Sequence, residues 1–386
     1  MTHATGGLAT DCLTAARDMA GKIGTHSADI ERDRALPAAV TDALRDAGLF
    51  RIGLPAHLGG VRLPFPDIAA VVEEVAYADT ATGWCLAIGN TNAFLAWLEP
   101  DAARELTRGG AVLAGSTAPV GTADPTGTGS AVRLTGRWSF CSGVPHADLV
   151  MAGYRERGAA GPPVDARVAF VPAPSATVHD TWDTMGLRGT ASHDVSLAGV
   201  EVPLSHTVSL QGPAPHGAEL HRLSALNILM VLLAGVPLGA ARRALEETAA
   251  LAAAKRRPGS SSPLLDEAET LTALLRAEAA VGAARAFTHE VLGRTWDVLA
   301  AGDTPSPELR ARVAAAVGHA LETCRAAATT ALRLAGTSAL RTDHPLQRCV
   351  RDLHAAGQHF AFSDDMAQRH ARTRFGLPQP FSLFQV

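Results

Sequence analysis

From Pro263 to Ala300 the chain reads "PLLDEAETLTALLRAEAAVGAARAFTHEVLGRTWDVLA", with apolar residues at helical spacing and no internal proline. At about 1.5 Å of rise per residue, a helix of that length exceeds roughly 50 Å. A rod of that size has to bury its apolar stripe against partners of similar length. The neighbouring segments 219–257, 306–340 and 345–373 have the same helical texture. The four together predict an antiparallel bundle, with "KRRPGSSSP", Lys255 to Pro263, as the link between the first two members.

Upstream the texture changes twice. Between Leu8 and Arg108, runs such as "LPAAVTDALRDAGLF" and "FPDIAAVVEEVAYAD" are again helical, with Pro37 and Pro66 near helix starts. The intervening "GLPAHLGGVRLP" is dense in Gly and Pro and reads as an irregular turn. From Val112 to Leu210 the pattern becomes short β-prone runs, "VRLTGRWSF", "LVMAGY", "VAFVPA" and "DVSLAGVEVP". At 386 residues the chain exceeds the roughly 250–300 residues at which single cores divide. The expected organisation is mainly α with a central β domain: a helical part over 1–111, a β domain over 112–218 and a bundle over 219–386.

Composition removes several function classes. With 47% hydrophobic and 19% charged residues and a formal charge of −4, the chain has the balance of a soluble globular protein and no basic excess for nucleic acid. Lysine occurs only at Lys22 and Lys255, the other basic residues being arginine. Cys12, Cys85, Cys141, Cys324 and Cys349 form no CxxC pair, which argues against a zinc site and a disulfide framework and for reduced thiols in a cytoplasmic protein. No basic-then-apolar leader opens the sequence. The most apolar segment, Leu226 to Ala241, is shorter than a membrane span and contains Pro237, so it reads as a buried core helix. There is no solenoid repeat, no GxxxxGK[ST], and no GxGxxG between a strand and a helix, so no nicotinamide-dinucleotide site is expected.

The stretch "RDLHAAGQHFAFSDD", Arg351 to Asp365, carries two histidines. If it continues the last bundle helix, His354 and His359 lie about 140° apart around the axis and cannot share a metal. His370 would return to the His359 face about 16 Å further along. "SHD", Ser192 to Asp194, has the residue types of a hydrolytic triad, but neighbours on a strand point to opposite faces. By the same alternation Trp138, Phe140 and Ser142 share one strand face, either as core or as an aromatic wall with a hydroxyl.

Several of these strings together resemble one family along nearly the whole chain. "LPAHLGG", "LTGRWSFCSGVPHADLVMAG", "TMGLRGTASHDVSLAGVEVP", "LAGVPLGAARRALE" and "PLQRCVRDLHAAGQH" are similar to segments of the acyl-CoA dehydrogenase superfamily, in the same order of helices, β domain and four-helix bundle. Dehydrogenases of that superfamily carry a glutamate base at one of two places. Those places fall here on Phe360 and Leu229, neither of which accepts a proton. Beside Phe360 stands His359, where the flavin monooxygenase branch resembles this chain in carrying a histidine, and "WSFCSG" is also closer to that branch.

The resemblance implies the oxygenase component of a two-component flavin-dependent monooxygenase. Such an enzyme receives FMNH2 or FADH2 from a separate NAD(P)H:flavin reductase and uses O2, through a C4a-hydroperoxyflavin, to hydroxylate a small organic substrate at aromatic carbon, nitrogen or sulfur. A homotetramer or homodimer is implied, with neither nucleic acid nor membrane as partner. His359 is then the partner of the oxygen adduct, as donor or proton relay since its reference pKa of about 6.5 permits both, and Ser142 assists it. Trp138, Phe140, Ser142, Trp182, Ser192, Arg256, Gly336 and Ser338 become flavin contacts, and Trp84, Asn92 and Phe360 become pocket residues. Asn92 stands eight residues after Trp84, close to where the branch often has a histidine, and Asn90 is the alternative if the register shifts. The competing expectations are an acyl-CoA dehydrogenase or oxidase with a displaced base and a binding scaffold of the same fold.

Overall fold

The structure is a computed structural model that describes residues 3–127, 129–157 and 166–378, with side chains from residue 11 onward. The outer ends of the 1–111 and 219–386 divisions lie outside the described residues. Five helices open the chain: α1 (His3–Asp33), α2 (Ala38–Asp46), α3 (Phe65–Ala78), α4 (Thr80–Gly89) and α5 (Pro100–Leu106). A seven-stranded sheet follows, made of β1 (Leu113–Pro125), β2 (Ala131–Trp138), β3 (Leu149–Glu156), β4 (Arg167–Pro172), β5 (Thr177–His179), β6 (Asp194–Pro203) and β7 (Thr207–Val208). Its strand order is β5-β6-β2-β1-β3-β4-β7, with β1 and β3 parallel and the other neighbours antiparallel.

Six helices complete the chain: α6 (Ala225–Leu233), α7 (Gly235–Ala254), α8 (Ala268–Ala300), α9 (Pro307–Ala335), α10 (Pro345–Ala356) and α11 (Asp364–Arg374). The long run expected from Pro263 forms its α-helix only from Ala268. Pro263 is extended and bridges to Arg256, so a short 3-10 turn precedes α8. The 33 residues of α8 still span about 50 Å. The apolar Leu226–Ala241 stretch is interior, every residue of α6 being buried. The helical hydrogen bonding is interrupted at Ala234, between α6 and α7, just ahead of Pro237, whose ring and missing N–H disturb a continuous helix.

Two devices hold the N-terminal helices on the bundle. Gly235 and Gly239 lie one turn apart on α7 where α3 crosses it. A Cβ at Gly239 would lie 2.3 Å from the Glu73 carbonyl oxygen, and one at Gly235 would lie 2.2 Å from that of Ala69. Glycine is therefore what lets the two backbones touch. Beside this crossing the buried Glu73 carboxylate pairs with Arg242 of α7 at 3.1 Å and Arg285 of α8 at 2.8 Å. A buried carboxylate is tolerable only with such partners.

The last bundle segment is where sequence and structure part. The expected helix over 345–373 is broken: α10 stops at Ala356, a 3-10 turn covers Phe360–Phe362, and α11 starts afresh at Asp364. Ser363 caps α11 by accepting the Met366 amide hydrogen, and Asp364 and Asp365 sit at the positive helix end. The helical-wheel relation among His354, His359 and His370 therefore does not exist, because His359 lies between helices. Among the described residues, no group of three or more His, Cys, Asp or Glu side chains could hold a metal ion.

Candidate active site

The break after α10 is what aims His359. Its backbone is extended, with φ −68° and ψ 139°, and its Nδ1 accepts the Ala361 amide hydrogen at 3.3 Å. An Nδ1 that accepts leaves the ring proton on Nε2. The imidazole lies edge-to-face on the Trp84 indole with centroids 5.4 Å apart, and Phe360 flanks it at 4.6 Å. Burial pushes the His359 pKa down to about 4, although the residue keeps a partly exposed edge. At neutral pH the ring is thus a neutral donor, and the expectation that both charge states are available there does not hold.

Trp84 connects His359 to the β domain. Its Nε1 donates to Ser142 Oγ at 3.1 Å, Ser142 Oγ lies 2.7 Å from Ser192 Oγ, and Ser192 Oγ lies 2.6 Å from Thr190 Oγ1. Thr190 Oγ1 in turn donates to the Leu187 carbonyl at 2.8 Å. Trp182 reaches the same carbonyl through its Nε1 at 2.9 Å, while its backbone amide and that of Thr181 both donate to His193 Nδ1 at 3.2 Å. Ser192, His193 and Asp194 thus do not form a triad. Ser192 belongs to the hydroxyl chain, His193 holds the Trp182 loop, and Asp194 pairs with Arg137 at 2.8 Å.

Three of the four non-glycine residues with positive φ among the described residues surround this group: Phe140 at 64°, Leu187 at 51° and Ala191 at 44°. The left-handed region costs an ordinary side chain of order 1 kcal/mol and persists only where neighbours enforce it. Phe140 is the informative case. It is 73% exposed, and its ring meets Trp182 edge-on at 6.0 Å. A large aromatic side chain held uncovered in strained backbone provides a face that a planar ring could cover.

The strand alternation expected for Trp138, Phe140 and Ser142 fails, because β2 ends at Trp138 and Phe140 turns left-handed. Trp138 is 1% exposed inside the sheet core, where its Nε1 donates to the Gly153 carbonyl at 2.8 Å. Gly121 and Gly136 make room for its ring. It is a core residue and forms no wall.

Among the described hydrogen bonds none joins Asn92 to His359. Asn92 is fully buried in the N-terminal helices, donating to the Phe50 and Ala111 carbonyls at 2.8 and 2.9 Å. Asn90 accepts the Gly53 amide hydrogen and donates to Leu49 and Leu86. Both asparagines have structural bonds to make. Arg256, Gly336 and Ser338 lie near one another, where Lys255 Nζ donates to the Ala335 carbonyl at 2.8 Å. Arg256 itself is exposed, bonded to the Ser261 carbonyl. Among the described hydrogen bonds none joins that group to the His359 cluster. His354 is a partly exposed residue in the last turn of α10.

Asp352 was not singled out from sequence, whereas Leu187 and Thr190 belong to the "LRGT" of "TMGLRGTASHDVSLAGVEVP", which the resemblance places among the flavin contacts. Asp352, of the "RD" pair, accepts the Leu187 amide hydrogen at 2.6 Å and is 1% exposed. Burial, reinforced by Asp79 and Glu31, raises its pKa to about 7 against the opposing Leu187 hydrogen bond and Arg351. A raised carboxyl pKa means stability that is complete below the unfolded value near 3.9 and lost as pH rises through about 7. Asp352→Asn keeps an acceptor for Leu187 without a charge. The variant should match wild type near pH 4 and gain on it up to pH 7.5, by as much as about 4 kcal/mol. Thermal melts across that range check this, and a constant difference would remove Asp352 as the titrating group.

Comparison with known proteins agrees with the architecture. Residues 231–364 match the family model for the acyl-CoA dehydrogenase C-terminal domain, and residues 12–99 match that for its N-terminal domain. The chain is 30% identical over 355 residues to an indole-3-acetate monooxygenase of Pseudomonas putida, covering 91% of this chain and 90% of that protein. It is 33% identical over 230 residues to the oxygenase component of an FADH2-dependent resorcinol hydroxylase of a Rhizobium species, covering 56% and 55%. Among solved structures, XiaF from a Streptomyces species, in complex with FADH2 and glycerol, superposes with a TM-score of 0.89 at 25% identity, covering 98% of each chain.

Proposed function

We propose, from the premise that this chain belongs to the acyl-CoA dehydrogenase family and to its flavin-dependent monooxygenase branch, that it is the oxygenase component of a two-component system. It takes FMNH2 or FADH2 from a separate reductase and places one atom of O2 on a small organic substrate. The observation that carries the reading is the convergence of a neutral His359, Trp84 and Ser142 beside the exposed Phe140 and the half-buried Trp182. The residues present fit the ring. Phe140 offers it an uncovered aromatic surface beside the half-buried Trp182, and Ser142 offers a polar atom to its central edge.

Reduced flavin, when bound, supplies the electrons that activate O2. The chain's own residues do the rest. His359 Nε2–H can donate to an oxygen atom without carrying a charge into the site. Trp84 and Phe360 set the ring of His359 and wall the space beside it, and a ring laid over the exposed Phe140 would help keep water from the reacting atoms. With His359 held neutral, its Nδ1 occupied by the Ala361 amide and no carboxylate among its described ring and hydrogen-bond partners, a substrate that activates its own carbon suits the site best. An electron-rich aromatic ring is such a substrate, in keeping with the indole-3-acetate and resorcinol named for the relatives. Hydroxylation at nitrogen or sulfur is the other outcome of the same chemistry. The dehydrogenase reading is weakened by Phe360 and Leu229 at the two base positions.

We extend the reading to a homotetramer or homodimer in the cytoplasm. Support comes from Leu271 and Leu275, exposed one turn apart on α8, and from five unpaired cysteines. Sedimentation equilibrium tests the assembly. For the function, turnover under 18O2 with supplied FMNH2 or FADH2 against a panel of phenols and indoles should give singly labelled product. Label confined to hydrogen peroxide across the panel, together with anaerobic flavin reduction by an acyl-CoA, would replace this reading with the dehydrogenase one.

A further inference from the structure

Trp84, Ser142, Ser192 and Thr190 form one hydrogen-bonded chain whose direction can be read from its two ends. All four side chains are less than a tenth exposed. An indole N–H only donates, so Ser142 Oγ accepts from Trp84 at 3.1 Å. A carbonyl only accepts, and two oxygens 2.8 Å apart without a hydrogen between them would repel, so Thr190 gives its proton to Leu187. Thr190 must then accept at its 2.6 Å contact, which makes Ser192 the donor there. Ser192, its proton used, must accept at 2.7 Å from Ser142. Ser142 is left with its proton committed to Ser192, one lone pair committed to Trp84, and one lone pair for a ligand. The far end is held firmly: Leu187 donates its amide to the buried Asp352 and receives the Trp182 indole on its carbonyl.

We propose that Thr190 and Ser192 are positioning residues that fix Ser142 as a hydrogen-bond acceptor and so make the site selective for reduced over oxidised flavin. The chemistry of the ring supplies the contrast: N5 carries a hydrogen in reduced flavin and only a lone pair in oxidised flavin. Reduced flavin can donate to the free lone pair of Ser142. Oxidised flavin meets lone pair against lone pair, and Ser142 can turn its proton outward only by abandoning Ser192. The inference rests on the reading of Ser142 as the hydroxyl at the flavin's polar edge. One hydrogen bond gained or lost corresponds to roughly a three- to tenfold change in affinity.

The test is an anaerobic titration of the full chain with FMN, FAD and their reduced forms, which yields the ratio of oxidised to reduced dissociation constants without turnover. Thr190→Val keeps the volume but removes both the donor to Leu187 and the acceptor for Ser192, freeing the Ser142 proton. The ratio should fall by about three- to tenfold, chiefly through tighter oxidised flavin. Ser192→Ala should shift it in the same direction and carries the prediction if the valine variant does not fold. Thr190→Ser should keep the wild-type ratio. A Thr190→Val protein that weakens both forms alike, leaving the ratio unchanged, overturns the proposal and makes Thr190 merely structural. A wild-type protein that binds neither form overturns the flavin reading and this inference with it.

Discussion

Replacing His359 with alanine should leave reduced flavin bound within about threefold of wild type while lowering product formation on the order of 10²-fold, the consumed O2 appearing as hydrogen peroxide. The reason is the division of labour in the site. His359 contacts Trp84 and Phe360, but it takes no part in the hydroxyl chain from Trp84 to Leu187. On the proposed reading, removing it takes away a donor for an oxygen atom and leaves Ser142, the polar atom proposed for the ring, in place. Because burial holds its pKa at about 4, wild-type product formation should show no inflection from His359 between pH 5.5 and 8. The stability sign is opposite to that of Asp352. Keeping the imidazole neutral contributes fully above its ordinary value near 6.5 and is lost as pH falls through that value toward 4. Stopped-flow kinetics with parallel peroxide and product assays decide the matter. Coupling of O2 to product at the wild-type level in His359→Ala would remove His359 from the chemistry.

The second large effect concerns the fold. Gly239→Val should cost several kcal/mol, a substantial part of the 5–15 kcal/mol that a folded domain usually has. Its Cβ alone would stand 2.3 Å from the Glu73 carbonyl oxygen and 2.6 Å from the Tyr77 nitrogen, both backbone atoms that cannot step aside. Overpacking of a core commonly costs about 1–3 kcal/mol. Separating α7 from α3 also pulls on the Glu73–Arg242 pair, and an uncompensated buried charge costs about 3–5 kcal/mol. Gly282→Ala on α8 is the control. A Cβ there meets nothing within 4 Å, so it should be neutral or gain up to about 1 kcal/mol. Urea unfolding compares the two, and a Gly239→Val midpoint equal to wild type would mean the helices separate at no cost.

These sites differ in how legible they were. The long bundle helix showed in its periodicity, and only its start moved, because the extended backbone of Pro263 holds the chain out of the helix. His359 stood out by its place beside Phe360, yet its geometry did not. The Ser363-Asp364-Asp365 cap, which marks a new helix, was in the sequence and outweighs the unbroken pattern around it. Trp138 was misplaced for another reason. Strand alternation presumes that the strand continues, and Phe140 is not a residue type that announces a left-handed backbone. Thr190, Leu187 and Asp352 come together across 165 residues of chain. Nothing local in "LRGTAS" indicates which hydroxyl faces which, so that part of the site required the tertiary arrangement.

The hydroxyl chain from Ser142 ends on a backbone carbonyl, and a carbonyl has no proton to hand on. A row of hydroxyls conducts protons only if its last member can take one up or release one. Capped by Leu187, this row is an insulator. A proton reaching the site from solvent then has to come from its open side, where His359 is partly exposed and Phe140 is uncovered.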